Sequence, residues 1–139
     1  MSKNIYRRWK PLQNTPDRVY LKSLCCDYYG LTIILHCVDN DSRMVEIFFD
    51  AYLSYRSIDE GDLLVVDEED LTVKNLEINK KNRGLGGLLI IDFSSYVEWF
   101  NFVSQGIHED DNVIHYSIHT SDDCIDILSA YPPIVKWLE

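Results

Sequence analysis

The stretch Leu88-Leu89-Ile90-Ile91-Asp92-Phe93-Ser94-Ser95-Tyr96-Val97-Glu98-Trp99-Phe100 decides how the rest of the chain is read. Leu88–Phe93 is apolar at every position but Asp92, as expected of a strand near the centre of a sheet. Directly after it, Ser95-Tyr96-Val97-Glu98 has the form of a capping box. There the serine hydroxyl accepts a backbone N–H and the glutamate reaches back. Tyr96, Phe100 and Val103 then recur at helical spacing, and Gly106 supplies a stop. The sequence thus predicts a strand that runs into one helix. That helix is expected to bury its Phe100 side against Ile114, Tyr116, Ile118, Ile125 and Ile127.

Downstream, Val113–His119 and Cys124–Ser129 alternate around Thr120-Ser121-Asp122-Asp123, a β-hairpin with a four-residue loop. Pro132-Pro133 ends it and leaves a short apolar tail, Ile134–Leu138. Upstream, Tyr20–Tyr28, Leu31–Val38 and Arg43–Asp50 read as strands divided by Tyr29-Gly30 and by Asp39-Asn40-Asp41-Ser42. Between the two halves lies 51–87, long for a loop, where Leu71, Val73, Leu76 and Ile78 suggest one more short strand. The order β-β-β, connection, β-α-β-β predicts an α+β fold. It is a single largely antiparallel sheet of six or seven strands, with one main helix packed on a face. Residues 1–139 are expected to form one domain. Its parts are a basic segment (1–19), a meander (20–50), an acidic connection (51–87) and the β-α-β-β unit (88–130).

Composition supports a packed domain: 139 residues are 46% hydrophobic, with three Trp, nine Tyr and five Phe. The net charge of −10 excludes duplex DNA, RNA or an anionic membrane as a natural direct partner, and favours a basic protein. That charge is uneven. Residues 1–22 carry +5, 23–73 carry −10, 74–87 carry +3 and 88–139 carry −8. No apolar run follows the basic N-terminus and none approaches a membrane span, so a cytoplasmic location is expected.

Candidate chemistry is sparse. Cys25, Cys26, Cys37 and Cys124 form no zinc-type spacing, and no EF-hand or phosphate-loop pattern is present, so no metal and no cofactor is expected. His115 and His119 lie about 13 Å apart on a strand, too far to share an ion. His119 falls opposite Cys124, with Asp126 on the same face, a possible nucleophile group for a small enzyme or ligand-binding module. The simpler reading is a polar, outward hairpin face.

The richest stretch for recognition is Asp50-Ala51-Tyr52-Leu53-Ser54-Tyr55-Arg56-Ser57-Ile58-Asp59-Glu60-Gly61-Asp62. Tyr and Arg are enriched at interface hot spots, and acids steer a basic partner. Partner binding is therefore assigned to Tyr52, Tyr55, Arg56, Asp59, Glu60 and Asp62, with Asp67 and Glu68 from the acidic run that follows. The competing reading packs Tyr52 and Tyr55 on the sheet and pairs Arg56 with Asp59 or Glu60.

Tyr55-Arg56…Asp59-Glu60 after a strand, Trp99-Phe100 on a short helix, His115-Tyr116-x-Ile118, Ile125-Asp126-Ile127-Leu128-Ser129 and Pro132-Pro133 together resemble small bacterial immunity proteins. These accompany polymorphic or contact-dependent growth inhibition toxins. The similarity spans roughly residues 20–133. The resemblance implies a non-catalytic, cytoplasmic antitoxin that binds its cognate toxin C-terminal domain, in many cases a nuclease. The basic residues 1–19 depart from a uniformly acidic inhibitor.

Overall fold

The computed structural model describes residues 4–40, 42–59, 72–73 and 86–138. In chain order the elements are β1 (Ile5–Arg8), β2 (Val19–Asp27), β3 (Gly30–Cys37), β4 (Met44–Phe49) and β5 (Tyr52–Asp59). There follow β6 (Thr72–Val73), β7 (Gly87–Asp92), α1 (Ser95–Val103), β8 (Ile114–His119), β9 (Asp123–Ser129) and β10 (Ile134–Leu138). The strands make two sheets. The larger runs β5-β9-β8-β7-β1 with antiparallel pairing, and the two-residue β6 lies parallel beside β1. The smaller runs β10-β4-β3-β2, antiparallel throughout.

The α+β expectation of a single sheet with one main helix is therefore wrong. Residues 20–50 do not extend the sheet of residues 88–130; they form a second sheet that packs on it. Strict alternation explains the choice. β3 buries Leu31, Ile33 and Leu35, and β4 buries Val45, Ile47 and Phe49, all on one face. These meet Leu88, Ile90, Tyr116, Ile118, Ile125 and Ile127 from the larger sheet in one apolar cluster. Each such side chain contributes about 1.5–3 kcal/mol relative to exposure. Tyr116 sits at the seam, its ring 5.3 Å from that of Phe49 and 5.0 Å from that of Trp9.

Helix α1 consequently lies on the other face. Ile114, Tyr116, Ile118, Ile125 and Ile127, its expected bed, are occupied by the smaller sheet, and Tyr96 packs on His115 instead, with ring centroids 5.4 Å apart. The cap also moves by one residue. Ser94 is the N-cap and accepts from Tyr96 N and Val97 N, whereas Ser95 is the first helical residue. Helix and hairpin are thus present where the sequence placed them, but the helix is turned toward a different surface.

Three segments not read as regular strands complete the sheets. The N-terminal basic segment supplies β1, between β7 and β6. Its charges are used locally: Arg7 pairs with Asp92 at 2.9 Å, and Arg8 donates to the Gly86 carbonyl. The C-terminal tail is β10, which pairs with β4. The recognition stretch is β5, paired with β9. Gly30 joins β2 to β3 at φ +139, where an added Cβ would lie 2.3 Å from the Phe49 carbonyl oxygen. Only glycine permits that approach.

Candidate functional site

The polar residues of the hairpin gather around Asp126. The register places Arg56 and Ser117 on either side of Asp126, and the next row on the same face pairs His119 with Cys124. Asp126 Oδ1 accepts from Ser117 Oγ at 2.8 Å and lies 2.7 Å from His115 Nε2. Its Oδ2 accepts from Arg56 Nε at 3.0 Å. His115 Nδ1 is in turn 2.6 Å from Ser94 Oγ. Ser94 Oγ already accepts two helix N–H groups, so its own proton goes to His115 Nδ1. Nε2 then carries the imidazole hydrogen that Asp126 accepts.

Tyr96 closes the circuit. Its ring lies under the Arg56 guanidinium at 4.0 Å, and its hydroxyl is 2.5 Å from Ser54 Oγ. The face expected to point outward is therefore polar but covered: His115, Ser117 and Asp126 are buried. Burial by itself would raise the Asp126 carboxyl. The His115 hydrogen bond, the charge His115 carries when protonated, Arg56 and Ser117 together outweigh it and hold the group well below the usual carboxylate range.

The Cys-His-Asp group of the hairpin does come together. Cys124 Sγ lies 3.3 Å from His119 Nε2 and 3.8 Å from Asp126 Oδ2. Its electrostatics oppose nucleophilic chemistry. Burial, followed by the Asp126 charge, pushes the Cys124 thiol up to about 12. Burial also lowers His119, and it raises Tyr6, which edges the His119 ring at 6.4 Å, to about 12. A catalytic thiolate needs the opposite setting. The cluster is built to dock helix α1 onto the sheet through Ser94 and Tyr96. Nothing in residue spacing marked Ser94 or Tyr96 as members. His115, Ser117 and Asp126, alternating across one hairpin, were the available signal.

The residues assigned to partner binding are only partly brought together. Tyr52 and Tyr55 form an edge-to-face pair with centroids 5.5 Å apart, and both lean on the core. The Tyr52 hydroxyl lies 2.8 Å from Cys26 Sγ, and this contact is the first cause of its raised pKa, with burial next. Arg56 pairs with Asp126, which the register sets directly across from it; the alternative pairing with Asp59 or Glu60 falls on side chains outside the described ones. Asp59 ends β5 opposite Asp123. Glu60, Asp62, Asp67 and Glu68 lie outside the described residues.

Among the described residues, no group of three His, Cys, Asp or Glu side chains could hold a metal ion, and no helix is long and apolar enough to cross a membrane. Comparison with protein-family models, curated proteins and solved structures finds no match.

Proposed function

We propose that the chain is an immunity-type antitoxin: it binds and neutralises a basic toxin domain, a nuclease in the first instance, through acidic and aromatic surface residues. The observation that carries this reading is the place of residues 52–59. Among the described residues, β5 is the outer strand of the larger sheet, and Glu60, Asp62 and then the acidic run 67–70 follow it in sequence. An edge strand offers a row of backbone donors and acceptors that a partner can extend. Tyr52 and Tyr55 are partly exposed on that strand, and Arg56 and Ser57 are exposed.

Charge supports the same choice of partner. A nuclease must present Lys and Arg to hold phosphates, and a chain of net charge −10 meets that surface with the sign of its substrate. Association is then fast and salt-sensitive. The same charge opposes binding to nucleic acid or to an anionic membrane. A cytoplasmic site of action belongs to this proposal.

The test is co-production with the toxin domain encoded beside the gene. Co-purification and restored growth are expected. Undiminished toxicity with no complex refutes the reading. Reversing Asp59, Glu60 and Asp62 to Lys should slow association about tenfold and flatten its salt dependence.

A further inference from the structure

We propose that the outward face of α1 forms the apolar centre of this interface and that its occupant is a basic protein surface carrying an apolar patch. The proposal rests on the antitoxin reading for the identity of that partner. Helix α1 already meets the sheet with Tyr96, yet from that flank outward it stays apolar into solvent. Trp99, Phe102 and Val103, at i, i+3 and i+4, are 53%, 82% and 49% exposed, and Ile107 in the following turn is 78% exposed. Contiguous exposed apolar surface of this kind marks an interaction site.

Phe93 adds a second signal. It precedes the helix cap with φ +53 and is 71% exposed. A bulky residue in the left-handed region costs about 1–3 kcal/mol, here endured to hold an aromatic ring in solvent.

The surrounding charge selects the occupant. Residues 88–113 contain Asp92, Glu98, Glu109, Asp110 and Asp111 and no Lys or Arg. Asp92 is paired with Arg7 and Asp111 with His108, while Glu98, Glu109 and Asp110 make no ion pair among the described residues. An apolar centre with an acidic rim complements a basic surface. A second copy of the chain would bring the same acids face to face across a two-fold axis. The surface is also continuous with β5. Tyr96 touches Arg56 and Ser54 on one side, and its ring stands 5.8 Å from that of Trp99 on the other.

The experiment measures binding of the neighbouring toxin domain to the full chain and to Phe102→Ala, Trp99→Ala and Tyr52→Ala, with thermal melts to show that each variant folds. Loss of about 30-fold or more in affinity at Phe102 or Trp99, with an unchanged melt, is expected of a hot spot. Wild-type affinity in both helix variants, beside tight binding by the parent chain, overturns the helix surface and leaves the antitoxin reading intact. No binding by the parent chain overturns both. Sedimentation that reveals a dimer abolished by Phe102→Asp would assign the face to a second copy and overturn the choice of partner.

Discussion

His115 Nε2 lies 2.7 Å from Asp126 Oδ1, and the two side chains are 3% and 5% exposed. This contact ties two strands and, through Ser94, the helix cap into one unit. Removing one member leaves the others buried with unmet polar groups. Asp126→Ala should therefore destabilise the fold by about 2–4 kcal/mol, because the His115 and Ser117 donors are left buried without their acceptor and Arg56 loses its carboxylate. Urea unfolding at pH 7 measures it. A cost below about 1 kcal/mol would mean the network is not structural.

Stability should fall with acid in two stages. The Asp126 carboxyl is lowered in the folded state, so its contribution is complete above the unfolded value near 3.8 and disappears as pH falls through the folded value. His119 is lowered from 6.5 by burial, so the unfolded chain takes up a proton first and stability declines below about pH 6.5. The urea midpoint should thus begin to fall between pH 7 and pH 5, and Asp126 adds a further loss below pH 4. His119→Gln should remove the upper slope only. A midpoint that rises on acidification would contradict both assignments.

Two adjacent serines separate the sequence reading from the structure. Ser94→Ala removes the helix cap and the partner of His115 Nδ1, so about 2–4 kcal/mol should be lost. Ser95→Ala removes one exposed contact from Asn4, worth less than about 0.5 kcal/mol. A pair of thermal melts decides. Equal effects, or the reverse order, would restore Ser95 as the cap.

The same two serines show what was legible. The hairpin was readable because Val113–Ser129 alternates around a turn, and His119 faces Cys124 as its four-residue loop requires. Which hairpin face meets the helix was not readable, because Ser117 and Asp126 look like solvent-facing residues, whereas both are buried and Tyr96 packs on their neighbour His115. β5 escaped notice because a register shift between Tyr52 and Ser54 breaks its alternation. β1 is hidden because 1–19 reads only as a basic segment, whereas Asp92 and the Gly86 carbonyl engage Arg7 and Arg8. Whether residues 20–50 join the sheet of 88–130 or cover it depends on contacts far apart in sequence, which local periodicity does not encode.

Thiol chemistry gives an independent check on the hairpin. Burial and the Asp126 charge hold the Cys124 thiol up, so almost none of it is thiolate at neutral pH. Cys25 and Cys26 are exposed on β2. Brief iodoacetamide treatment should modify Cys25 and Cys26, and reach buried Cys37 and Cys124 only in denaturant. Peptide mass spectrometry reads the sites. Rapid modification of Cys124 in the folded chain would reopen the nucleophile reading.

Arg56 provides the sharpest separation of binding from folding. The sequence places it at the partner surface, whereas its guanidinium donates to Asp126 and lies over the Tyr96 ring. Lysine keeps the charge but loses the planar stack and the oriented Nε–H. Arg56→Lys should cost about 1 kcal/mol of stability, a modest figure because the side chain is 45% exposed. Arg56→Ala should cost about twice that, since Asp126 then keeps only His115, Ser117 and the weak thiol contact of Cys124. If Arg56 acts inside the fold, partner affinity should change little in Arg56→Lys at a temperature where the variant is fully folded. An affinity loss of tenfold or more without a shift in melting temperature would instead put the exposed part of Arg56 in the interface, beside Tyr52 and Tyr55 of β5.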